Sequence, residues 1–416
     1  MDVMIRRPYY GWIIVTAGFL ALFVESILYL YGVFITPLLM DFGWSHTIVS
    51  SIYATAMAIY TLAVIPMGWL NDRYGPRTLL GIGALLTGLG LLLSSAASTL
   101  WHLYCTFGVV VGIGLSPIYV SIMPTLIKWF TKRRGLAVGI ASSGIGFGQF
   151  IMAPVLTYII NSYHWRLAFT ITGLISAALL LIAALMVEEN PEKLKLSSQA
   201  GGGDNLASFS LKTPITLSGA VKTCAFWMIY FCFTFACFAL FMVLVHIMPY
   251  AVDSGIPSLQ ASIALGLIGI IGTIGKVVAG IIADKIGISF TLIFCCMGDA
   301  MVIPILLLAG NVQAIFLFTA LFGLFYGGWM IMYAPVLAEF FGTTHLGSIL
   351  GVVATTFGMG GAIGPVIAGY IIDLTGNYLS AFLLGALMFV AAAIFYASAY
   401  KLKGKRFPRF HSQGER

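Results

Sequence analysis

Long apolar runs broken by short polar stretches dominate the chain. Each run is at least about 20 residues long, the length a helix needs to cross the hydrocarbon of a bilayer. The pattern predicts twelve spans, near 11–38, 47–71, 77–98, 101–127, 134–162, 165–187, 221–250, 258–283, 288–309, 312–338, 346–372 and 379–401. An even number of spans puts both termini on one side. One long polar segment interrupts them, VEENPEKLKLSSQAGGGDNLASFSLKTP, rich in Gly, Ser, Glu and Lys. It reads as a linker. The expected architecture is an all-α membrane protein of two six-helix bundles. The first covers 1–187, a cytoplasmic linker covers 188–218, and the second, with a short basic tail, covers 219–416.

Composition agrees: 60% of residues are hydrophobic and 8% charged, against about 25% charged in a soluble domain. The net charge of +7 does not point to nucleic acid, because of where the basic residues lie. All of them but Arg166 and Lys276 fall in the termini or in alternate loops. By the positive-inside rule these loops and both termini are cytoplasmic. The apolar run after MDVMIRRPYYGW continues too far for a cleaved signal peptide and reads as the first span. Compact termini and a short central loop predict a prokaryotic inner-membrane protein. The six cysteines all lie in apolar runs without metal-binding spacing, so neither a metal nor another cofactor is expected.

The two halves repeat each other. Gly68, Asp72 and Gly75 recur as Gly280, Asp284 and Gly287 at an offset of 212, and Gly112, Pro124 and Phe130 as Gly323, Pro335 and Phe341 at an offset of 211. Two parallel repeats with a site between them at mid-depth is an architecture of secondary transporters.

Several stretches carry a family resemblance. The segment Gly68-Trp-Leu-Asn-Asp72-Arg73-Tyr-Gly75-Pro-Arg77 and its echo from Gly280 through Asp284 and Lys285 to Gly287 resemble the G-x-x-x-D-R/K-x-G loop of the major facilitator superfamily. The resemblance implies cytoplasmic gating by Gly68, Asp72, Arg73, Gly75, Asp284 and Lys285. Glycine there permits close packing and tight turning; the aspartate is suited to cap a helix or pair with an arginine. The run Lys128 to Gly148, with the cluster Lys132-Arg133-Arg134 and small residues at 139, 144 and 148, is similar to the fifth-helix signature of the monocarboxylate porter family and the related bacterial oxalate/formate exchangers. Arg134 joins the gating set. His246-Ile-Met-Pro-Tyr250 and Tyr10-Gly-Trp12 resemble further stretches of that family.

Lys276 stands alone in the interior of the eighth span. An ionisable residue at membrane depth is costly and marks a functional site by default. In the resembled families a cation, usually arginine, occupies this place, eight residues before the loop aspartate; it implies a carboxylate-binding charge. A near-match to a phosphate loop, Gly269 to Lys276, has one residue too many and Val277 where Ser or Thr is required. Glu25, midway along the first span, is the candidate counter-ion of Lys276, and Glu25 and Lys276 are the candidate proton-coupling residues. Animal members of the family carry an acid one turn before the cation; here that position is Gly272. Asp299 is the other acid within a span.

The resemblance aligns Tyr119 with a substrate-contacting tyrosine, and Tyr29, Tyr326 and Tyr333 offer hydroxyls to a carboxylate. The second cation of the oxalate exchanger aligns with Phe357. One cation suits one carboxylate, with Leu28, Ile145 and Phe357 as an apolar wall. The expected function is proton-coupled symport of small monocarboxylates such as lactate or pyruvate by a monomer in the lipid bilayer. The alternatives are an oxalate/formate-type anion antiporter and a non-transporting sensor. No catalytic constellation is visible, so an enzyme is not expected.

Overall fold

A computed structural model describes residues 10–130, 133–188, 216–307, 311–342 and 345–406. Among them there is no strand. Helix α1 covers Gly11–Leu30 and continues through Gly32–Phe42. The 50-residue helix His46–Ser95 is two spans, since Gly75 inside it has φ 79 and ψ 161, outside helical geometry. We number its parts α2 (46–74) and α3 (76–95). The remaining spans are α4 (Leu100–Trp129), α5 (Gly135–Ser162), α6 (Trp165–Met186), α7 (Cys224–Asp253), α8 (Ser258–Ile286), α9 (Ile288–Leu306), α10 (Val312–Phe341), α11 (Leu346–Thr375) and α12 (Tyr378–Leu402). These are the twelve expected spans.

The boundaries differ from expectation at particular residues. The seventh span starts at Cys224, not near 221, because Thr223 caps it by accepting from the Phe226 N–H at 3.2 Å. A short turn, Leu217–Val221, precedes it. Helix α10 is interrupted at Ile331 and Met332 and resumes at Tyr333. Apart from its ends, the linker lies outside the described residues.

The repeat is visible in the backbone. Gly75 and Gly287 turn the chain between α2 and α3 and between α8 and α9 with nearly the same dihedrals, φ 79 and φ 94 with extended ψ. Only glycine adopts these cheaply. A Cβ on Gly112 of α4 would lie 2.8 Å from the Ala56 carbonyl of α2; one on Gly323 of α10 would lie 3.0 Å from the Ile268 carbonyl of α8. Close backbone approach at small residues is how helices associate without a hydrophobic driving force.

Beside a contact of α1 with α7, where Gly32 packs on the Val245 carbonyl, two seams join the halves, and both are closed at one end only. Along α5 and α8, Asn161 donates to Ser258 at 2.7 Å, Gln149 donates to the Leu265 carbonyl at 2.9 Å, and Gly146 packs on Gly269 and Thr273. Along α2 and α11, Asp373 caps the start of α2, Gly361 packs on Met57, and Gly358 packs on Thr61. Beyond these layers the seam glycines no longer meet the opposite half among the described residues. Added Cβ atoms on Gly139, Gly280, Gly68 and Gly351 would meet nothing within 4 Å, and Ile65 is 69% exposed. The open end is the one bearing Arg73, Arg77, Lys128 and Lys285.

Candidate functional site

The last closed layer of both seams lies at mid-depth, and the candidate residues gather there. Gly358 follows Phe357, Gly146 follows Ile145, and Thr61 follows Tyr60 in the chain. Thr273, three residues before Lys276, meets Gly146 of α5. Residues three and four apart share a helix face, so Lys276 stands where the α5–α8 seam opens. The antiparallel register that pairs Gly146 with Thr273 continues to place Lys276 opposite Ser143.

Lys276 is partly exposed and, among the described residues, makes neither ion pair nor hydrogen bond. The expected Glu25–Lys276 pair is therefore not formed in this conformation. Glu25 is buried, and its Oε1 instead accepts from the Tyr60 hydroxyl of α2 at 2.6 Å. Sequence reasoning missed Tyr60. The signal was weak: its position relative to Glu25 follows only from how α1 packs on α2. Helix α1 bends directly after Glu25, where the Ser26 N–H bonds the Phe23 carbonyl at 3.2 Å. Gly148 of α5 makes room for the bend, since a Cβ there would lie 2.4 Å from Ser26 Oγ. Gly144 serves α1 in the same way. Gly139 does not, because it faces the open gap.

A line of tyrosines crosses between the halves. Tyr119 of α4, half exposed to the gap, and Tyr60 and Tyr29 lie within electrostatic reach of Glu25, and Tyr29 within reach of Tyr326 from α10. The hydroxyls of Tyr29 and Tyr326 take part in no hydrogen bond among the described residues. Tyr326 packs its ring onto Gly272, one turn before Lys276. The room beside Lys276 therefore lies toward Gly280, where an added Cβ would meet nothing within 4 Å, and not toward Gly272.

The other candidates are engaged in packing or in ties between helices. The Tyr333 hydroxyl is shared between Cys237 at 3.1 Å and Thr356 at 3.0 Å, and its ring stacks on Phe233 at 3.8 Å, so it ties α7, α10 and α11 together. Leu28 is buried in the packed layer, where its carbonyl accepts from Tyr53 at 2.9 Å. Phe357 is half-buried, edge-on to Phe241 at 4.8 Å and 6.3 Å from Tyr29. Asp299 accepts from Trp329 Nε1 at 2.9 Å between α9 and α10, away from the seam. His246 is buried, its Nε2 3.0 Å from the Pro365 carbonyl.

In the gating loops, Asp72 and Asp284 are exposed and, among the described residues, make neither of the contacts expected of them, capping or pairing. Arg73 instead lies over the Trp69 and Tyr74 rings, at 5.7 and 5.5 Å. The end they belong to is open, so the opposing half is out of reach. The Arg134 side chain lies outside the described residues.

Two pseudo-symmetric six-helix bundles, meeting along seams closed at one end, with polar side chains at mid-depth, define the transporter class of membrane protein. The Major Facilitator Superfamily model matches residues 14–303 and 300–415, and the chain belongs to that superfamily. Its relatives there are proteins called monocarboxylate transporters. Human monocarboxylate transporter 12 is 28% identical over 95% of this chain and 82% of its own. Monocarboxylate transporter 13 of Bos taurus is 26% identical over 92% and 88%. Among solved structures, a bacterial homologue of the human lysosomal transporter Spinster, inward-facing and occupied, superposes with a TM-score of 0.72. It covers 96% of this chain and 98% of its own at 16% identity, which speaks to the fold alone.

Proposed function

We propose that this chain carries small monocarboxylates across a plasma membrane together with protons, by rocking its halves about the mid-depth layer. The observation that carries this is Lys276, a cation without a partner among the described residues, at the mouth of the α5–α8 seam. An unpaired ammonium in a low-dielectric cavity is relieved by an anion. A ligand that lowers the energy of the occluded state more than that of the open one drives the transition. The Tyr29, Tyr326 and Tyr119 hydroxyls, within reach of one another or of Glu25, supply donors for the same carboxylate.

The names of the relatives support the substrate class. Phe357 in place of a second cation favours one carboxylate over two. Glu25, on the other half, takes the proton, because an anion entering alone would oppose an inside-negative potential. With the basic loops inside, the open end is cytoplasmic and this conformation faces inward.

The test is uptake by reconstituted protein across a panel of mono- and dicarboxylates at several pH values. Lys276→Gln is expected to abolish binding and uptake, and Lys276→Arg to retain both. Unchanged affinity in Lys276→Gln would remove the lysine from the site. Counterflow that persists without a proton gradient and prefers a dicarboxylate would replace symport by exchange.

A further inference from the structure

Glu25 sits in an unusual setting for a membrane acid. It is 4% exposed, and its Oε2 is buried and, among the described residues, without a hydrogen-bond partner. Its Oε1 has one donor, the Tyr60 hydroxyl at 2.6 Å. Every element that brings a titratable group to it brings a tyrosine: Tyr60 from α2, Tyr119 from α4, and Tyr29 from α1 itself. Among the described residues, α5, α6 and α7, which also pack on α1, bring none, and Lys276 of α8 does not pair with it. The carboxyl therefore depends on one neutral donor, not on a cation.

We infer that Tyr60 is the positioning residue of the proton site: its O–H holds Glu25 Oε1 and leaves Oε2 as the oxygen that takes the proton. This rests on Glu25 being the coupling acid, as proposed above. A proton arriving from the water of the cavity forms the Oε2–H bond and neutralises the carboxylate, while the Tyr60 O–H remains donated to Oε1. A hydrogen bond from a neutral donor favours the ionised form of its acceptor. Tyr60 thus sets the pH at which Glu25 loads. The bend at Ser26 and the cradle at Gly148 keep the carboxyl within reach of α2, so that a single hydroxyl suffices to orient it.

The experiment compares wild type, Tyr60→Phe and Glu25→Gln, each full-length and reconstituted, by uptake against pH and by the infrared carbonyl band of a protonated carboxylic acid. Tyr60→Phe is expected to move the midpoint of the uptake profile to higher pH by about one unit, the scale of losing one donor to a carboxylate. The KM for the carboxylate should stay within about twofold, well under the tenfold that 1.4 kcal/mol gives. The infrared band should be absent in Glu25→Gln and shifted in Tyr60→Phe. A Tyr60→Phe protein with lowered thermal stability but the wild-type pH profile and band would make Tyr60 a structural tie between α1 and α2, and the inference would fail. If Glu25→Gln itself leaves the profile unaltered, the coupling role of Glu25 fails first and the inference falls with it.

Discussion

The ring of Tyr326 lies against Gly272, so closely that a Cβ on the glycine would collide with Tyr326 Cε1. On the other side, a Cβ on Gly327 would collide with the Gly272 carbonyl oxygen. Backbone meets backbone here between α8 and α10. The resemblance implies an acid at this position in animal members of the family, and the packing here leaves no room for one. Gly272→Ala is expected to destabilise the protein by roughly 1–3 kcal/mol, the usual cost of overpacking. Pairing it with Tyr326→Ala should recover part of that loss, since contacting residues are not additive. Thermal unfolding of the single and double variants in detergent measures both. Strict additivity would show that Tyr326 is not what excludes a side chain.

The glycines at the open end make a second prediction. Gly139 and Gly280, and Gly68 and Gly351, continue the registers of the closed layers, yet have empty space around them. If transport closes this end, they come together as Gly146 now does with Gly269. Gly139→Trp should leave unfolding of this conformation unchanged within about 0.5 kcal/mol, as for a surface substitution. Uptake should fall by about tenfold or more, which needs the closed state raised by only 1.4 kcal/mol. Wild-type uptake by this variant would show that the α5–α8 gap does not close.

The closed end is held by Asp373. Its carboxylate accepts from the His46 and Thr47 N–H groups at 2.9 Å each and from the Thr47 hydroxyl at 2.5 Å. His46 Nδ1 lies 3.2 Å away. An acid of α11 thus caps α2 of the other half. His46 Nε2 continues the tie to the Tyr378 hydroxyl at 3.0 Å, and Tyr378 donates to Asp253 at 2.7 Å. Loss of an N-cap costs about 0.5–2 kcal/mol, and this cap exists only while the end is closed. Asp373→Ala should therefore shift the population toward the state open at this end by about tenfold. Spin labels at Tyr163 and Leu259, with the exposed Cys105 and Cys224 replaced, report the separation of α5 and α8. An unaltered distance distribution would exclude Asp373 as the latch.

What was legible in the sequence follows physical rules that act locally. Hydrophobic run length gave all twelve spans, and the recurrence of Gly68-to-Gly75 at Gly280-to-Gly287 gave the repeat. Lys276 was conspicuous because charge at that depth is costly. What could not be read are relations between helices. Tyr60 meets Glu25 only through the rotation of α2 against α1. Tyr333 is turned toward Cys237 and Thr356, and the Tyr326 ring fills the space over Gly272. An aromatic hydroxyl in an apolar run looks the same in sequence whether it serves packing or a ligand. The Gly139, Gly144 and Gly148 series shows this on one helix: Gly144 and Gly148 admit α1, and Gly139 faces a gap.

Phe357 offers the last prediction, because it bears on substrate class. It adjoins Gly358, in the last closed layer of the α2–α11 seam, with its ring against Phe241 and near Tyr29. The oxalate exchanger is expected to hold its second cation at this place. Phe357→Lys puts a point charge there while its alkyl stem keeps part of the apolar contact. With two cations in the layer, a dicarboxylate gains a partner for each end and a monocarboxylate gains none. The ratio of inhibition constants for a dicarboxylate over a monocarboxylate of similar length should improve by about tenfold, or 1.4 kcal/mol, when each competes with labelled substrate. Phe357→Met, which changes packing without charge, should keep the original preference. An unchanged ratio in a folded Phe357→Lys protein would place position 357 away from the carboxylate and withdraw it from the wall of the site.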